Sequence, residues 1–232
     1  MFSVLIEVLP SEGQWDAYLA NAKMLRPELE KAPGFLDNAR YRSLTRDGWI
    51  FSLSDWRDEA SVAGWHARMR DEEGGERGWN GLLADYRLRV GEVTSDTRAP
   101  EALETVQQRP AQAPAAGEGT STYVTLIDAK QAPEWVRGNN PYEIALYLGF
   151  DLYSYGDCIS WDIFESLVSP GEIILAVTWK DAQSANDHAA TQIVPDDARV
   201  RVVRVVLDYA LSSDGQAPHD RAGGAGREAV PA

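Results

Sequence analysis

The chain of 232 residues is poor in sulfur and in positive charge. Its one cysteine, Cys158, excludes an intrachain disulfide and any multi-cysteine metal or iron–sulfur site. Lys and Arg total 22 against 36 Asp and Glu, a formal net charge of −14, and no basic run offsets it. Such a surface repels phosphate backbones, so nucleic acid is not an expected partner. No apolar run approaches the roughly 18 residues of a membrane span. Met1 to Leu9 has no basic flank and carries Glu7 inside its apolar stretch, which marks a strand and not a signal peptide. The expectation is a soluble, cytoplasmic protein without a membrane partner. No Gly-rich phosphate loop, zinc signature or nucleophile elbow is present. At 44% apolar and 25% charged residues, the composition is that of a globular chain able to bury a core.

Aromatic residues are absent from Arg87 to Thr122, and within that stretch Thr97 to Thr120 is rich in Ala, Pro, Gln and Glu. Such a segment buries too little apolar surface to offset its ordering entropy, although Glu101 to Gln108 has the makings of a short helix. It reads as a flexible linker over 97–120, and the Gly/Ala/Pro-rich stretch from Ser213 to Ala232 reads as a disordered tail. Two blocks remain, 1–96 and 121–212, and they repeat each other. Ser43-Leu44, Gly48, Ile50, Trp56-Arg57-Asp58 and Ser61 recur at a constant spacing as Ser166-Leu167, Gly171, Ile173, Trp179-Lys180-Asp181 and Ser184. Upstream, Leu5-Ile6-Glu7 matches Leu126-Ile127-Asp128, and Trp15 falls near Trp135.

Alternation predicts a strand at Phe2 to Leu9. A helix follows, with Ser11 and Gln14 spaced as a capping box, Pro27 as a kink and Pro33-Gly34 as its end. Two strands, Asn38 to Leu44 and Trp49 to Trp56, flank a tight Asp47-Gly48 turn. Asp58 caps a second helix to about Arg70, and Tyr86 to Val93 is the last strand. The second block gives the same order: strands at Tyr123 to Ala129, Ile159 to Val168, Glu172 to Trp179 and Val200 to Leu207. There a helix is capped by Asn140 with Pro141 in its first position and is stopped by Gly149, and another starts near Asp181. Each block is thus an α+β unit of β-α-β-β-α-β, ferredoxin-like order. Two such sheets bury their bare faces against each other, giving a fused sandwich or barrel. A homodimer of such chains is compatible with this but not required.

Trp15-Asp16-Ala17-Tyr18-Leu19, Gly34-Phe35-Leu36-Asp37-Asn38 and Arg40-Tyr41-Arg42-Ser43-Leu44-Thr45 resemble the antibiotic biosynthesis monooxygenase family. Ser54-Asp55-Trp56-Arg57-Asp58, Trp65 and Asp85-Tyr86-Arg87-Leu88-Arg89-Val90-Gly91 extend the likeness over residues 1–95, and the second block shares it through the repeat. The resemblance implies a dimeric α+β barrel fold. The superfamily holds cofactor-independent oxygenases of aromatic polyketides, haem-degrading monooxygenases and proteins without demonstrated activity, so it implies fold more securely than chemistry.

Trp65 lies on the second helix with Val62 and Met69, as a core aromatic or, by the resemblance, as a wall of the substrate or haem pocket. Haem-degrading members pair that tryptophan with a first-strand asparagine and a later histidine. Here Glu7 stands at the first and no histidine at the second, which disfavours haem degradation. His66 is on the Val62 side of its helix, as a surface residue or a metal ligand. His188 occupies the repeat position of Trp65 and is either core or a base for a phenol or enol. His219 falls in the tail. Glu7 and Asp128 sit mid-strand at matched positions, as members of an ion-pair network with alternating Arg40, Arg42, Arg87 and Arg89, or as a base raised by burial beside an arginine-lined ligand site. Tyr153, Tyr155, Trp161 and Phe164 line a flat-ligand pocket or form sandwich core.

The reading is a monooxygenase that oxidises a small aromatic or enolic molecule with O₂. Glu7, Trp65, His66 and His188 are its candidate catalytic residues, and Arg40, Tyr41, Asp128 and Trp161 its candidate substrate contacts. Alternatives are a haem-binding or haem-degrading protein and a non-catalytic small-molecule binding module. No metal ligand set is recognisable, so no cofactor is expected, with haem or flavin as the alternatives an absorption spectrum tests.

Overall fold

The computed structural model describes residues 1–71, 81–99, 122–130, 140–191 and 194–210. The expected linker from residue 100, the tail, Trp135 and His219 lie outside them. The first half runs β1 (Phe2–Pro10), α1 (Trp15–Glu30), β2 (Phe35–Ser43), β3 (Ile50–Trp56), α2 (Glu59–Asp71) and β4 (Leu83–Asp96). The second runs β5 (Tyr123–Ala129), α3 (Pro141–Tyr147), β6 (Cys158–Ser166), β7 (Ile173–Trp179), α4 (Ala182–Thr191) and β8 (Arg199–Ala210).

Local chemistry sets most element ends. Asp58 Oδ1 accepts from the Ser61 amide at 2.8 Å and its repeat mate Asp181 accepts from Ser184 at 2.9 Å, so both second helices start on the same cap. Asn140 caps α3 through the Tyr142 amide with Pro141 behind it, and Gly149 at φ 81° ends the segment. The expected capping box on α1 does not form: Gln14 is the N-cap residue and makes no side-chain cap bond. Pro27 sits inside α1, which continues to Glu30. At the other end of the expected first block, Thr97 bonds to Val200, so the chain stays on β8 past the point where the linker was expected.

The eight strands close into one barrel in the order β1-β3-β2-β6-β7-β5-β8-β4. Each half contributes four neighbouring strands, and the halves are joined by antiparallel pairing of β2 with β6 and of β4 with β8. Closure removes every sheet edge and needs no second copy of the chain. Alternation then assigns each side chain to one of two environments. Leu5, Phe51, Leu126, Phe164, Ile174 and Val203 fill the interior, where both halves meet. Val4, Trp56 and Val90 face outward onto the first-half helices, and Ile127, Ile163, Leu175 and Val202 onto the second-half helices. At the β4–β8 seam the backbones approach so closely that a Cβ on Gly91 would sit 2.4 Å from Val203 Cγ1 and 2.7 Å from the Arg204 carbonyl. Among the described residues, no helix is long and apolar enough to cross a membrane.

Two pairs at the seams join residues that are repeat mates of each other. Arg42 lies opposite Glu165 across β2–β6, 123 positions away, and bonds to it. Glu92 lies opposite Arg204 across β4–β8, 112 positions away, with 2.7 Å between charged atoms. The pseudo-twofold axis therefore crosses the barrel wall at these pairs, and each position faces its own counterpart.

Candidate functional site

The buried carboxylates belong to the barrel interior. Glu7 on β1 accepts from Arg89 Nη2 and from Arg46 Nη2, each at 2.5 Å, and Arg46 also pairs with Asp162. Burial alone would raise the Glu7 carboxyl, but the Arg89 and Arg46 guanidiniums outweigh it and hold its pKa at about 2. The reading of Glu7 as a base raised by burial is thereby corrected, because a carboxylate so stabilised has little drive to take a proton. Asp128 accepts from Arg201 Nη2 at 2.7 Å. Arg201 and Arg89 do the same work by symmetry. Arg89 reaches across to Thr178 of the other half, and Arg201 reaches across to Asp55, the repeat mate of Thr178. Tyr41 is also interior. Its hydroxyl donates to Glu172 at 3.3 Å, and burial together with the Glu172 carboxylate pushes the phenol above its usual range. Tyr41 thus bonds directly to the other half, and Asp128 holds Arg201, which in turn reaches Asp55 across the barrel.

The outward, helix-covered face differs between the halves. In the second half, β6 and β7 present Trp161, Ile163, Leu175 and Val177, all buried in one apolar cluster. His188 on α4 is fully buried above them, enclosed by Tyr155 at 4.9 Å, Trp179 at 5.0 Å and Phe150 at 5.6 Å between ring centroids. Desolvation lowers its pKa to about 4, with the Gly149 backbone acting weakly in the opposite sense. The expectation that His188 lines a pocket is corrected: the loop bearing Phe150 and Tyr155 fills the space. Trp161, ring to ring with Phe150, belongs to the same packing.

In the first half, the same sheet positions carry Asn38, Arg40, Ser52 and Ser54, with Asn38 opposite Ser54 and Arg40 opposite Ser52. The register is that of Trp161 with Val177 and Ile163 with Leu175, so four polar residues stand where the second half has four apolar ones. Arg40 is partnered by Tyr18 of α1. Ser54 accepts from the Trp56 indole at 3.0 Å, and Trp56 leans on Trp65 at 6.1 Å, the counterpart of the Trp179–His188 contact. Trp65 is half-buried and walls a groove of about 420 Å³ between the turn after α1 and α2, lined also by Pro33, Arg57, Ser61, Gly64 and Arg68. His66 follows it on α2, half-buried. Of the eight expected site residues, the structure brings Trp65, His66 and Arg40 to this side of the first half. Asn38, Ser52 and Ser54 were missed, although the repeat alignment set them against Trp161, Leu175 and Val177.

Among the described residues, no group of three or more His, Cys, Asp or Glu side chains is placed to hold a metal ion. The antibiotic biosynthesis monooxygenase family model matches residues 1–69. A jasmonate monooxygenase of Pyricularia oryzae is 37% identical over 220 residues, covering 94% of this chain and 97% of that protein. Among solved structures, an aldoxime dehydratase aligns with a TM-score of 0.51 at 12% identity, covering 88% of this chain and 80% of that one. An anthrone oxidase-like protein aligns with a TM-score of 0.34 at 12% identity, covering 91% and 93%. At 12% identity the likeness to the aldoxime dehydratase is one of fold alone.

Proposed function

Because the chain belongs to the antibiotic biosynthesis monooxygenase family, we propose that it oxidises jasmonate or a close relative, a cyclopentanone bearing a carboxylate side chain, in its first half. The observation that carries the placement is the contrast between the polar layer beside the Trp65 groove and the sealed apolar layer at the matched positions of the second half. The substrate follows from the near full-length likeness to the Pyricularia enzyme, whose reaction its name gives. The groove suits an acid. At a net charge of −14 the molecule as a whole repels anions, so a carboxylate needs local cations; Arg57 and Arg68 flank Trp65 with side chains 57% and 45% exposed, each shared with one carboxylate, Asp58 and Glu28. Trp65 supplies a flat apolar wall for the ring. His66, the next residue on α2, is the titratable group we assign as the base that prepares the substrate carbon for oxygen.

The redox balance separates two versions of the reaction. Replacing two hydrogens of a methylene by one oxygen uses all four electrons that O₂ accepts and needs no co-reductant. Adding a hydroxyl needs two further electrons from outside. The reading without a cofactor is the first version. Oxygen uptake by the purified full chain with jasmonic acid, with and without NADPH, and the product mass test it. We expect uptake with the acid alone, no visible absorption band, and a KM raised at least tenfold in Trp65→Ala. A protein that takes up no oxygen with jasmonic acid under either condition would fail this reading of the substrate.

A further inference from the structure

Two polar atoms on the helix-facing side of β2 have no hydrogen-bond partner among the described residues, Asn38 Oδ1 and Arg40 Nε. The Asn38 amide cannot simply be turned over. Its Nδ2 donates to the Leu53 carbonyl at 3.1 Å, a group that only accepts, and to Ser52 Oγ at 3.2 Å. Oδ1 is therefore a committed acceptor in a residue only 7% exposed, and leaving such an atom unpaired is costly because its hydration is lost without replacement. Asn38 and Arg40 are two residues apart on β2, so their side chains stand side by side on the same face of the strand. The second half carries no hydrogen-bonding pair at these two positions, having Trp161 and Ile163 instead. Arg89, Arg201 and His188 also hold buried nitrogens without a partner among the described residues, but at this pair of matched positions only the half with the groove does, and its wall connects to this layer through Trp65, Trp56 and Ser54.

Resting on the assignment of the substrate to the first half, we propose that Asn38 and Arg40 together recognise one oxygen of the substrate as a hydroxyl, an enol or a phenol. That oxygen accepts from Arg40 Nε and donates to Asn38 Oδ1. A ketone, an ether or a carboxylate oxygen satisfies Arg40 alone, because it has no proton to give. Among the forms of a cyclopentanone substrate, the enol is the one that meets both. A site built around a buried pair of this kind rejects an analogue lacking the proton, since the acceptor is then buried unpaired.

The test uses the full chain and two probes with the same flat frame, 2-naphthol and 2-methoxynaphthalene, titrated by fluorescence. The ether accepts but cannot donate. The wild type should bind the naphthol at least tenfold more tightly, and Asn38→Leu should erase that preference while still binding the ether. Arg40→Met should weaken both probes by a similar factor and leave the preference in place. It decides the matter alone if Asn38→Leu does not fold, which circular dichroism reports. Equal binding of the two probes by the wild type, binding of neither, a preference that survives Asn38→Leu, or unchanged binding in Arg40→Met overturns the proposal. The oxygen-uptake assay with jasmonic acid fails or succeeds independently, so the two readings are separable.

Discussion

Protonating His188 places a charge among Phe150, Tyr155 and Trp179, where burial penalises it more than the Gly149 backbone favours it. The unfolded chain takes that proton near pH 6.5 and the folded chain near pH 4, so below 6.5 the unfolded state binds more protons. Stability should therefore fall as pH drops from 6.5 to 4, by about 3 kcal/mol, and level off beneath. Glu7 acts in a lower window. Its folded pKa of about 2 lies below the ordinary 4.5, so the stability from its arginine pairs is present above 4.5 and lost as pH falls toward 2. Urea midpoints measured from pH 7.5 to 2.5 should show the upper limb vanish in His188→Phe. Glu7→Gln should shrink the lower limb and cost about 3–5 kcal/mol at pH 7, because buried Arg89 loses its carboxylate partner and Arg46 keeps only Asp162. A His188→Phe protein that keeps the upper limb would mean that another group titrates there. Residue types in the sequence already offered both fates for Glu7 and His188. What the sequence did not carry was which side of the wall each face occupies, and that decides between a paired interior carboxylate and a base, or between a sealed ring and a pocket wall.

At the level of elements, the groove depends on how closely β2 begins beside α2. Gly34, at φ 79°, turns the chain from the end of α1 into β2, and a Cβ there would lie 2.0 Å from Ser61 Oγ and 2.6 Å from Ser61 Cβ. The Gly34 carbonyl also accepts from the Arg57 amide at 2.8 Å. Gly34→Ala combines a strained backbone with a clash against the first turn of α2, so we expect a loss of about 2–3 kcal/mol. It should raise the KM more than a Gly13→Ala control, whose Cβ meets nothing within 4 Å. Thermal melts and steady-state kinetics of the two proteins read this directly. The turns and caps that set this geometry were legible, because Gly34, Gly48, Asp58, Asn140 and Gly149 act on their immediate neighbours. Strand lengths were not. β4 and β8 run to 14 and 12 residues because each pairs with the other across the seam, and a partner more than a hundred residues away leaves no local mark.

At the scale of the whole molecule, the seams carry charge of opposite sign on matched positions, Arg42 and Glu92 in the first half against Glu165 and Arg204 in the second. Arg42→Glu sets two carboxylates against each other across β2–β6. These groups are partly exposed and screened, so we expect a cost of only about 0.5–1 kcal/mol. The exchange Arg42→Glu with Glu165→Arg should restore most of it, and a double-mutant cycle in chemical denaturation measures the difference. Additive costs with no recovery would show that the two residues do not sense each other. The fused barrel itself was legible from the repeat. The matching of the seams was not, since the register across them appears only when the strands are paired.

Had the same barrel been built from two identical chains, Arg42 would meet Arg42 and Glu92 would meet Glu92 on the axis, and every substitution would arrive in duplicate. Joining the halves in one polypeptide breaks that bookkeeping. A change in this chain alters one pocket and not two, so one copy can keep an uncomfortable amide and guanidinium under its helices while the other closes over with tryptophan and isoleucine. The complementary charges at the seams then act as a mating code: they favour the unlike pair of halves over either like pair, and hold the grooved copy to its packed twin.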